Sequence, residues 1–330
     1  MYKPPFTISS RIINLIASIS AQIERYAIRM EQGDSLRLRK VNRLKTIHSS
    51  LAIEGNNLSE NEVLAIIEGK NVIAPQKEIL EVRNAIKTYE LYPKLNPYAI
   101  DDMLKAHTTM MSGLIADAGR FRKGGVGVYD GKRIIHMAPP AERVEELMRD
   151  LFNWLETSED HLLIKSCVFH YEFEFIHPFA DGNGRIGRLW QSLILGKLNS
   201  LFEHLPVENM VYANQEAYYK AIAQSSNIAD SRPFIEFMLH TILDTLQEHK
   251  GVSLEDIVKA YSLQDNELKI LGLIRNDKHI SAKKISEQLA LSPRQVERIL
   301  ANLRNLSIVK RIGANRNGFW EVISKIATDN

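Results

Sequence analysis

The chain has 330 residues, of which 45% are hydrophobic and 25% charged, and its formal net charge at neutral pH is +2. This composition indicates a globular protein with a substantial core and gives no overall reason to expect binding to nucleic acid or membrane. The single cysteine, Cys167, excludes a disulfide framework, and no apolar run approaches the roughly 20 residues of a membrane span. Residues 1–6 lack a secretory signal pattern, so the expected location is the cytoplasm.

The first 98 residues are predicted to be helical, because apolar side chains recur three and four positions apart. Helices are expected from Ser9 onward and over about 35–55, 57–69 and 78–92. The second of these ends at Ser50-Leu51-Ala52-Ile53-Glu54-Gly55, a helix C-terminus followed by a terminating glycine. A carboxylate at this position opposes the helix dipole. Glu54 is therefore expected to need a cation from another part of the chain.

A helix over residues 100–114 carries His107, which is interpreted as a buried structural histidine. One convincing β segment follows at residues 120–137, where two apolar strands flank Asp130-Gly131, a strong two-residue turn signal. Further helices are predicted over 144–155, 162–176, 185–198, 214–223 and 232–247. The chain is therefore expected to be mainly α-helical with a single hairpin in this region.

The most informative stretch, His177-Pro-Phe-Ala-Asp-Gly-Asn-Gly-Arg-Ile-Gly-Arg188, links two of these helices. Glycines 182 and 184 allow positive φ and exposed N–H groups, and the N-terminus of the following helix attracts phosphate. Arg185 and Arg188 share one helix face and would place two cations beside these exposed N–H groups. Asp181 can supply an oxygen to Mg²⁺, and His177 can remove a hydroxyl proton at neutral pH.

Each part of this stretch also has a plainer interpretation. Asp-Gly-Asn-Gly alone makes a good turn or part of a calcium loop, and arginines three apart on a helix are usually solvated. The calcium interpretation is weak because Arg-Ile-Gly-Arg follows in place of further oxygen ligands. The coincidence of all parts within twelve residues favours a phosphate-handling site.

This stretch resembles the signature of the Fic-domain family, His-Pro-Phe-x-Asp/Glu-Gly-Asn-Gly-Arg-x-x-Arg, at every specified position. The resemblance implies a helical Fic core that transfers AMP from ATP to a Ser, Thr or Tyr hydroxyl of a protein. It implies His177 as the base, Asp181 as the Mg²⁺ ligand and Arg188 as the partner of the γ-phosphate. The remaining phosphate-binding positions implied by the family are Gly182, Asn183, Gly184 and Arg185, with Tyr219 near the nucleoside.

The resemblance extends to regulation and product. Many Fic members carry Ser/Thr-x-x-x-Glu-Gly/Asn, matched here by Ser50, Glu54 and Gly55, N-terminal to the active motif as in the second inhibitory class. This implies that Glu54 pairs with Arg188 in place of the γ-phosphate, and that removal of AMP from a target is a further activity to consider. The related Doc toxins, which phosphorylate, usually have Lys where this chain has Gly184, so nucleotide transfer is favoured.

Fic proteins also have a hairpin flap beside the active site that holds the target by strand-like pairing. The resemblance implies that Ile134 and Ile135 belong to this flap and dock the target. The alternative is that the apolar residues of the hairpin pack down on neighbouring helices.

The character of the chain changes after residue 248. Three short helices and a hairpin over residues 308–323 resemble a winged helix-turn-helix, and residues 266–323 carry eleven Lys and Arg against five Asp and Glu. Arg294, Gln295 and Arg298 are candidate DNA contacts on its recognition helix, and the candidates on its wing are Lys310, Arg311 and Arg316. Winged helices also serve as protein-docking or dimer modules, so both uses stay open.

The resulting hypothesis has three regions: an N-terminal helical region (1–98), a Fic catalytic core (99–248) and a winged helix (249–330). The expected function is an adenylyltransferase that uses ATP and Mg²⁺ and is restrained by Glu54. Its expected partners are a protein target or the chain itself, a second copy in a homodimer, and DNA, with no membrane. The alternatives are a DNA-binding regulator that uses the Fic fold as a nucleotide sensor, and a Fic enzyme that transfers another phosphate-containing group.

Overall fold

The computed structural model describes residues 2–30, 35–125, 127–130, 133–205, 207–248, 263–306, 308–312 and 318–322. They divide into two compact units. The first comprises Met1–Arg25 and Leu36–Gln247, and the second comprises Tyr26–Ser35 and Glu248–Asn330. The described residues are mainly α-helical, as predicted.

Helices up to residue 248 are α1 (Ser10–Met30), α2 (Ser35–Ile53), α3 (Glu60–Ile67), α4 (Gln76–Leu91), α5 (Ile100–Met110), α6 (Ala141–Thr157), α7 (Leu162–Ile176), α8 (Asn183–Leu198), α9 (Val207–Ala213), α10 (Gln215–Ile228) and α11 (Arg232–Glu248). Short 3₁₀ turns occupy Tyr92–Lys94 and Ser200–His204. The hairpin strands are β1 (Gly127–Asp130) and β2 (Arg133–Met137). No helix in the described ranges combines the length and apolar character that a membrane span needs.

Local capping chemistry explains where several helices begin and end. The Ser9 hydroxyl accepts a hydrogen bond from the N–H of Ile12 at 3.2 Å, so α1 begins where predicted. Helix α3 begins at Glu60, later than the predicted residue 57, because Ser59 and Glu62 form a capping box. Gly55 has a φ of 87°, which lets the chain leave the end of α2 in the left-handed region.

The hairpin differs from the prediction by one residue. Asp130 lies in β1 and pairs with Arg133, so it is a strand residue rather than part of the turn, and residues 131 and 132 lie outside the described residues. The register shifts between Val128 and Tyr129, which pair with His136 and Ile134. The shift leaves Ile135 as the extra residue of a β-bulge.

The core of the first unit is built around α7 and α8. Helix α7 is buried on nearly all sides, and Phe169 and Phe173 on α7 and Trp190 on α8 are almost fully buried. Burial of each such ring stabilises the fold by about 2–3 kcal/mol. Gly187 brings the two helices together, because a Cβ at this position would lie 2.8 Å from Glu174 Oε1. The chain between α7 and α8 is therefore held by two rigid, buried elements.

The second unit contains α12 (Asp265–Asn276), α13 (Ala282–Leu289), α14 (Pro293–Asn305) and the strands β3 (Val309–Ile312) and β4 (Phe319–Val322). Ser292 and Gln295 form a capping box at the start of α14, where Pro293 is the first helical residue, as predicted. The unit has its own apolar core, which includes Ile270, Ile285, Val296, Leu300 and Val309. Three helices followed by an antiparallel hairpin confirm the predicted winged-helix architecture.

Candidate active site

A six-residue loop joins α7 to α8. His177 follows the last residue of α7 in the left-handed conformation, with φ of 51°, and Gly182 precedes α8 with φ of 85°. The side chain of Asn183 closes the loop. Its Oδ1 accepts from the N–H of Phe179 and its Nδ2 donates to the carbonyl of Phe179, both at 2.9 Å. Asn183 is buried, and its side-chain amide bonds to the main chain of Phe179, so it stabilises the conformation of the loop.

His107 supports the same loop from α5. Its Nδ1 accepts from the N–H of Gly119 at 2.8 Å, so Nε2 carries the proton and donates to the carbonyl of Asp181 at 2.9 Å. Burial lowers the pKa of His107 to about 4, which keeps the ring neutral. The ring also stacks on Phe179 with centroids 3.7 Å apart. His107 is thus a buried structural histidine, as predicted from the sequence.

His177 lies at the mouth of the site, with 19% of its side chain exposed. Its Nδ1 is 3.9 Å from Oε2 of Glu174, one turn earlier on α7. Burial raises the pKa of Glu174 to about 8. Sequence reasoning missed Glu174 because it lies within a strongly apolar helix; its position three residues before His177 was the available signal.

The side chain of Asp181 is exposed, at 51%. Its Oδ1 accepts from the N–H of Gly182 at 2.6 Å and from Arg185 Nη2 at 3.2 Å. Among the described residues, no hydrogen bond ends on Oδ2 and no cluster of three metal-ligating side chains is present. Mg²⁺ bound with a nucleotide commonly takes one or two carboxylates and completes its shell with phosphates and water. A lone, accessible carboxylate fits that donor set.

Arg185 is buried without full hydrogen bonding. Its side chain is 3% exposed, with Nη1 3.8 Å from Glu81 Oε1 and Nη2 close to Asp181. Its Nε and Nη1 have no hydrogen-bond partner in the described part of the chain. Buried charged donors left unpaired are costly, so the arrangement favours an anionic ligand at the N-terminus of α8.

Arg188 meets the end of α2, and the structure brings Glu54 to it as predicted. Its Nη2 is 2.7 Å from Glu54 Oε1 and also donates to the carbonyl of Ser50 at 2.9 Å, while Nε donates to Ser50 Oγ at 3.3 Å. The Ser50 carbonyl is available to Arg188 because the N–H of Glu54 bonds to the carbonyl of Leu51 instead of that of Ser50. Burial lowers the pKa of Arg188, but Glu54, Tyr218 and Glu174 together outweigh this effect, so the pKa is raised overall. Arg188 is therefore a fully charged cation that caps α2.

Gly184 makes room for this ion pair. A Cβ at Gly184 would collide with Glu54 Oε1 and lie 2.9 Å from Arg188 Nη1. The expectation that Gly184 adopts positive φ was wrong: it lies in the first turn of α8, which begins at Asn183 rather than Arg185. Gly182 does have positive φ, and its missing side chain avoids Met111, whose Sδ would be 2.7 Å from a Cβ.

Gln215 links Tyr219 to the end of α2. The Nε2 of Gln215 donates to the carbonyl of Ile53 at 3.2 Å and lies 3.5 Å from the Tyr219 hydroxyl. Tyr219 is half-buried, whereas Tyr218 is buried with its hydroxyl 3.1 Å from His170 Nε2. Tyr218 is thus a core residue, and the nucleoside contact of Tyr219 stays a prediction.

The hairpin and the second unit hold the other predicted residues. Ile134 pairs with Tyr129 across the hairpin, and Ile135 occupies the bulge. In the second unit Arg294, Gln295 and Arg298 are exposed on α14. The Gln295 side-chain oxygen, however, is occupied by the cap, accepting from Ser292 N at 2.9 Å and from Ser292 Oγ at 2.8 Å. The two arginines are therefore the side chains best placed to contact a ligand.

Comparison with known proteins agrees with this geometry. A family model described as Fic/DOC family matches residues 97–195, and one described as winged helix-turn-helix DNA-binding matches residues 263–310. The protein adenylyltransferase Fic of Nematostella vectensis is 31% identical over 58% of this chain and 45% of its own length. The protein adenylyltransferase fic-1 of Caenorhabditis elegans is 32% identical over 62% of this chain and 41% of its own length. The chain thus spans less than half the length of these two relatives.

The structural likeness covers the whole chain. The crystal structure of a Fic family protein from Desulfovibrio desulfuricans G20 superposes with a TM-score of 0.73 at 40% identity, covering 99% of this chain and 100% of that one. The expected mainly α-helical Fic fold and the C-terminal winged helix are therefore confirmed. Together with the matched motif, this shows that the chain belongs to the Fic family.

Proposed function

We propose that the chain is a protein adenylyltransferase, which transfers AMP from ATP to a Ser, Thr or Tyr hydroxyl of a protein. The observation that carries the proposal is the buried guanidinium of Arg185 at the N-terminus of α8, whose Nε and Nη1 have no hydrogen-bond partner among the described residues. It marks an anion site at the start of the helix that follows the His177 loop. Relatives at 31% and 32% identity are named protein adenylyltransferases, which supports a nucleotide as the anion.

Two loop residues and the start of α8 have roles in this proposal. His177 accepts the proton of the target hydroxyl as its oxygen bonds to the α-phosphorus and the bond to pyrophosphate breaks. Arg185 and the N–H groups at the start of α8 hold phosphate oxygens and neutralise charge. Asp181 would hold Mg²⁺, whose chemistry when bound is to screen the phosphate charges.

The pair between Glu54 and Arg188 suggests that the described state is a restrained one. Arg188 is the cation expected to hold the γ-phosphate, and Glu54 already occupies its Nη2 at 2.7 Å. An ATP molecule reaching Arg188 would meet a carboxylate there, and like charges repel. Release of Glu54 is therefore the proposed switch for transfer, and assisted removal of AMP from a target by the same glutamate belongs to this proposal.

Self-labelling tests both parts of the proposal. The purified chain, the Glu54→Gly variant and the Glu54→Gly/His177→Ala double variant are incubated with Mg²⁺ and ATP labelled at the α-phosphate. We expect strong labelling for Glu54→Gly and none for the double variant. The matched control is Glu90→Gly, which removes an exposed carboxylate that pairs with Arg43 at the surface of α4. Equal labelling with and without Glu54 would refute the restraint.

The position of the label separates the alternatives. Label transferred from the γ-phosphate instead of the α-phosphate would identify a kinase. Labelling in no variant, with ATP binding intact, would refute self-modification and favour another nucleotide, an external protein target only, or a nucleotide sensor.

DNA binding by the second unit is the second candidate function. Arg294 and Arg298 lie four residues apart on α14, on the side opposite the buried Val296, Leu300 and Leu303. Two exposed cations on the second helix of a helix-turn-helix suit contacts to phosphates or bases in a major groove. The family model matching residues 263–310 supports this proposal.

A further inference from the structure

Arg122 makes an unusual set of contacts in the segment between α5 and β1. Its side chain is buried, and every described acceptor of its guanidinium is a main-chain carbonyl. Nε donates to His177 at 2.8 Å, Nη1 to Gly124 at 2.7 Å, and Nη2 to Pro139 at 2.5 Å and Ile176 at 3.2 Å. The N–H of Arg122 adds a bond to the carbonyl of Pro178 at 2.9 Å.

The acceptors belong to two parts of the site. Ile176 and His177 end α7 and begin the active loop, whereas Gly124 precedes β1 and Pro139 follows β2. One side chain therefore joins both ends of the hairpin to the main chain of the candidate base. In the described part of the chain Arg122 forms no ion pair within 4.0 Å, and Glu142 acts on its charge only from further away, so its close contacts are the bonds to carbonyls.

An arginine suits this position for two physical reasons. The last carbonyls of a helix have no intrahelical partner and carry partial negative charge, which a cation at the C-terminus of α7 satisfies. The planar fork also fixes several directions at once, which the single ammonium of a lysine cannot do. The bonds to Ile176 and His177 further hold His177 at its φ of 51°, a conformation that costs energy for a non-glycine residue.

We propose that Arg122 is a positioning residue that sets the distance between the hairpin and His177 during transfer. The inference rests on the proposed function, in which His177 takes the proton of the target hydroxyl, and on the expectation from the family resemblance that the hairpin docks the target. A displacement of about 1 Å between such groups can cost about 100-fold in rate. Because the side chain of Arg122 forms hydrogen bonds with none of Asp181, Arg185 or Arg188, its loss is expected to spare ATP binding.

The test uses the full chain carrying Glu54→Gly. Arg122→Ala and Arg122→Lys are compared with Lys123→Ala, which removes an exposed neighbouring cation. Self-labelling gives kcat and the KM for ATP, calorimetry gives ATP affinity, and hydrogen exchange follows the hairpin and α8. For Arg122→Ala we expect kcat to fall by about 100-fold with the KM within about threefold. Exchange should rise in the hairpin but not in α8, and millimolar guanidinium should restore part of kcat.

The outcomes separate this inference from the proposed function. Unchanged hairpin exchange in Arg122→Ala, or faster exchange with unchanged kcat, would overturn it. If Arg122→Ala does not fold, Arg122→Lys decides, because it keeps the charge and loses the fork; a kcat equal to that of Lys123→Ala would overturn the inference. A Glu54→Gly parent that binds ATP but transfers nothing refutes the proposed function and the catalytic consequence. In that case the exchange rates alone test whether Arg122 holds the hairpin to the loop between α7 and α8.

Discussion

At the scale of single residues, the site depends on a side chain that is absent. Gly184 leaves the space in which Glu54 reaches Arg188, since a Cβ there would collide with Glu54 Oε1. The position is helical, so alanine is conformationally acceptable and its effect is steric. A substitution at Gly184 can therefore disturb the Glu54–Arg188 pair without altering either charge.

We predict that Gly184→Ala raises self-labelling above that of the unaltered chain by displacing the Glu54 carboxylate. The rise should be smaller than for Glu54→Gly, because the new methyl group also crowds Arg188 Nη1. In the Glu54→Gly background the same substitution should add nothing. The steric account would be contradicted if Gly184→Ala labelled only as much as the unaltered chain while the Glu54→Gly/Gly184→Ala variant was active.

Glu174 gives a prediction about pH. Burial raises its pKa to about 8, whereas an unfolded glutamate titrates near about 4.3. Between these values the folded chain holds a proton that the unfolded chain has released, so stability falls as pH rises. Relative to the unaltered chain, Glu174→Gln should gain about 1 kcal/mol of unfolding free energy per pH unit between about pH 5 and pH 8. Urea unfolding measures the difference, and exposed Glu145→Gln is the control that should show no trend.

At the scale of elements, the end of α2 doubles as the proposed inhibitory segment. Arg188 caps it through the Ser50 carbonyl and hydroxyl, and Gln215 takes the carbonyl of Ile53. These bonds satisfy carbonyls that the helix leaves unpaired, so they hold Glu54 in register with Arg188.

We predict that Ser50→Ala loosens this end of α2 only slightly. It removes the 3.3 Å bond from Arg188 Nε but keeps the bond to the carbonyl and the pair with Glu54. One such bond contributes about 1 kcal/mol, so self-labelling should rise by about fivefold, well below the rise for Glu54→Gly. An effect of Ser50→Ala as large as that of Glu54→Gly would show that the restraint needs the serine as much as the glutamate, which would contradict this prediction.

The elements also show which features local sequence can predict. The helical repeats and caps predicted α1, α7 and the winged helix closely, because those signals lie within a few residues of one another. Helix α9 was missed because it has only seven residues. The bonds of Arg122 to His177 and of His107 to Asp181 were also missed, since they join residues 55 and 74 positions apart. The twelve-residue motif placed the site, but the side chains that hold it come from distant segments.

At the scale of the whole molecule, charge is unevenly distributed along the chain. Residues 266–323 carry a net +6, while the rest of the chain carries −4. Within the described part of the second unit, Lys310 on β3 is exposed, whereas Arg311 stacks over the Trp320 ring at 4.9 Å. Arg316 lies outside the described residues. Arg294 and Arg298 are the exposed cations in the first half of α14, and they make the DNA proposal testable.

We predict that the full chain binds a short labelled DNA duplex in fluorescence anisotropy, and that Arg294→Ala/Arg298→Ala weakens binding by about tenfold or more at low salt. Each phosphate contact releases counterions, so the slope of log K against log salt should fall in magnitude by about 2 in the double variant. Lys269→Ala is the control, because its ammonium is held by Asp265 at 2.6 Å on α12. Unchanged affinity and slope in the double variant would exclude α14 as a DNA-reading helix and favour a protein partner for the second unit.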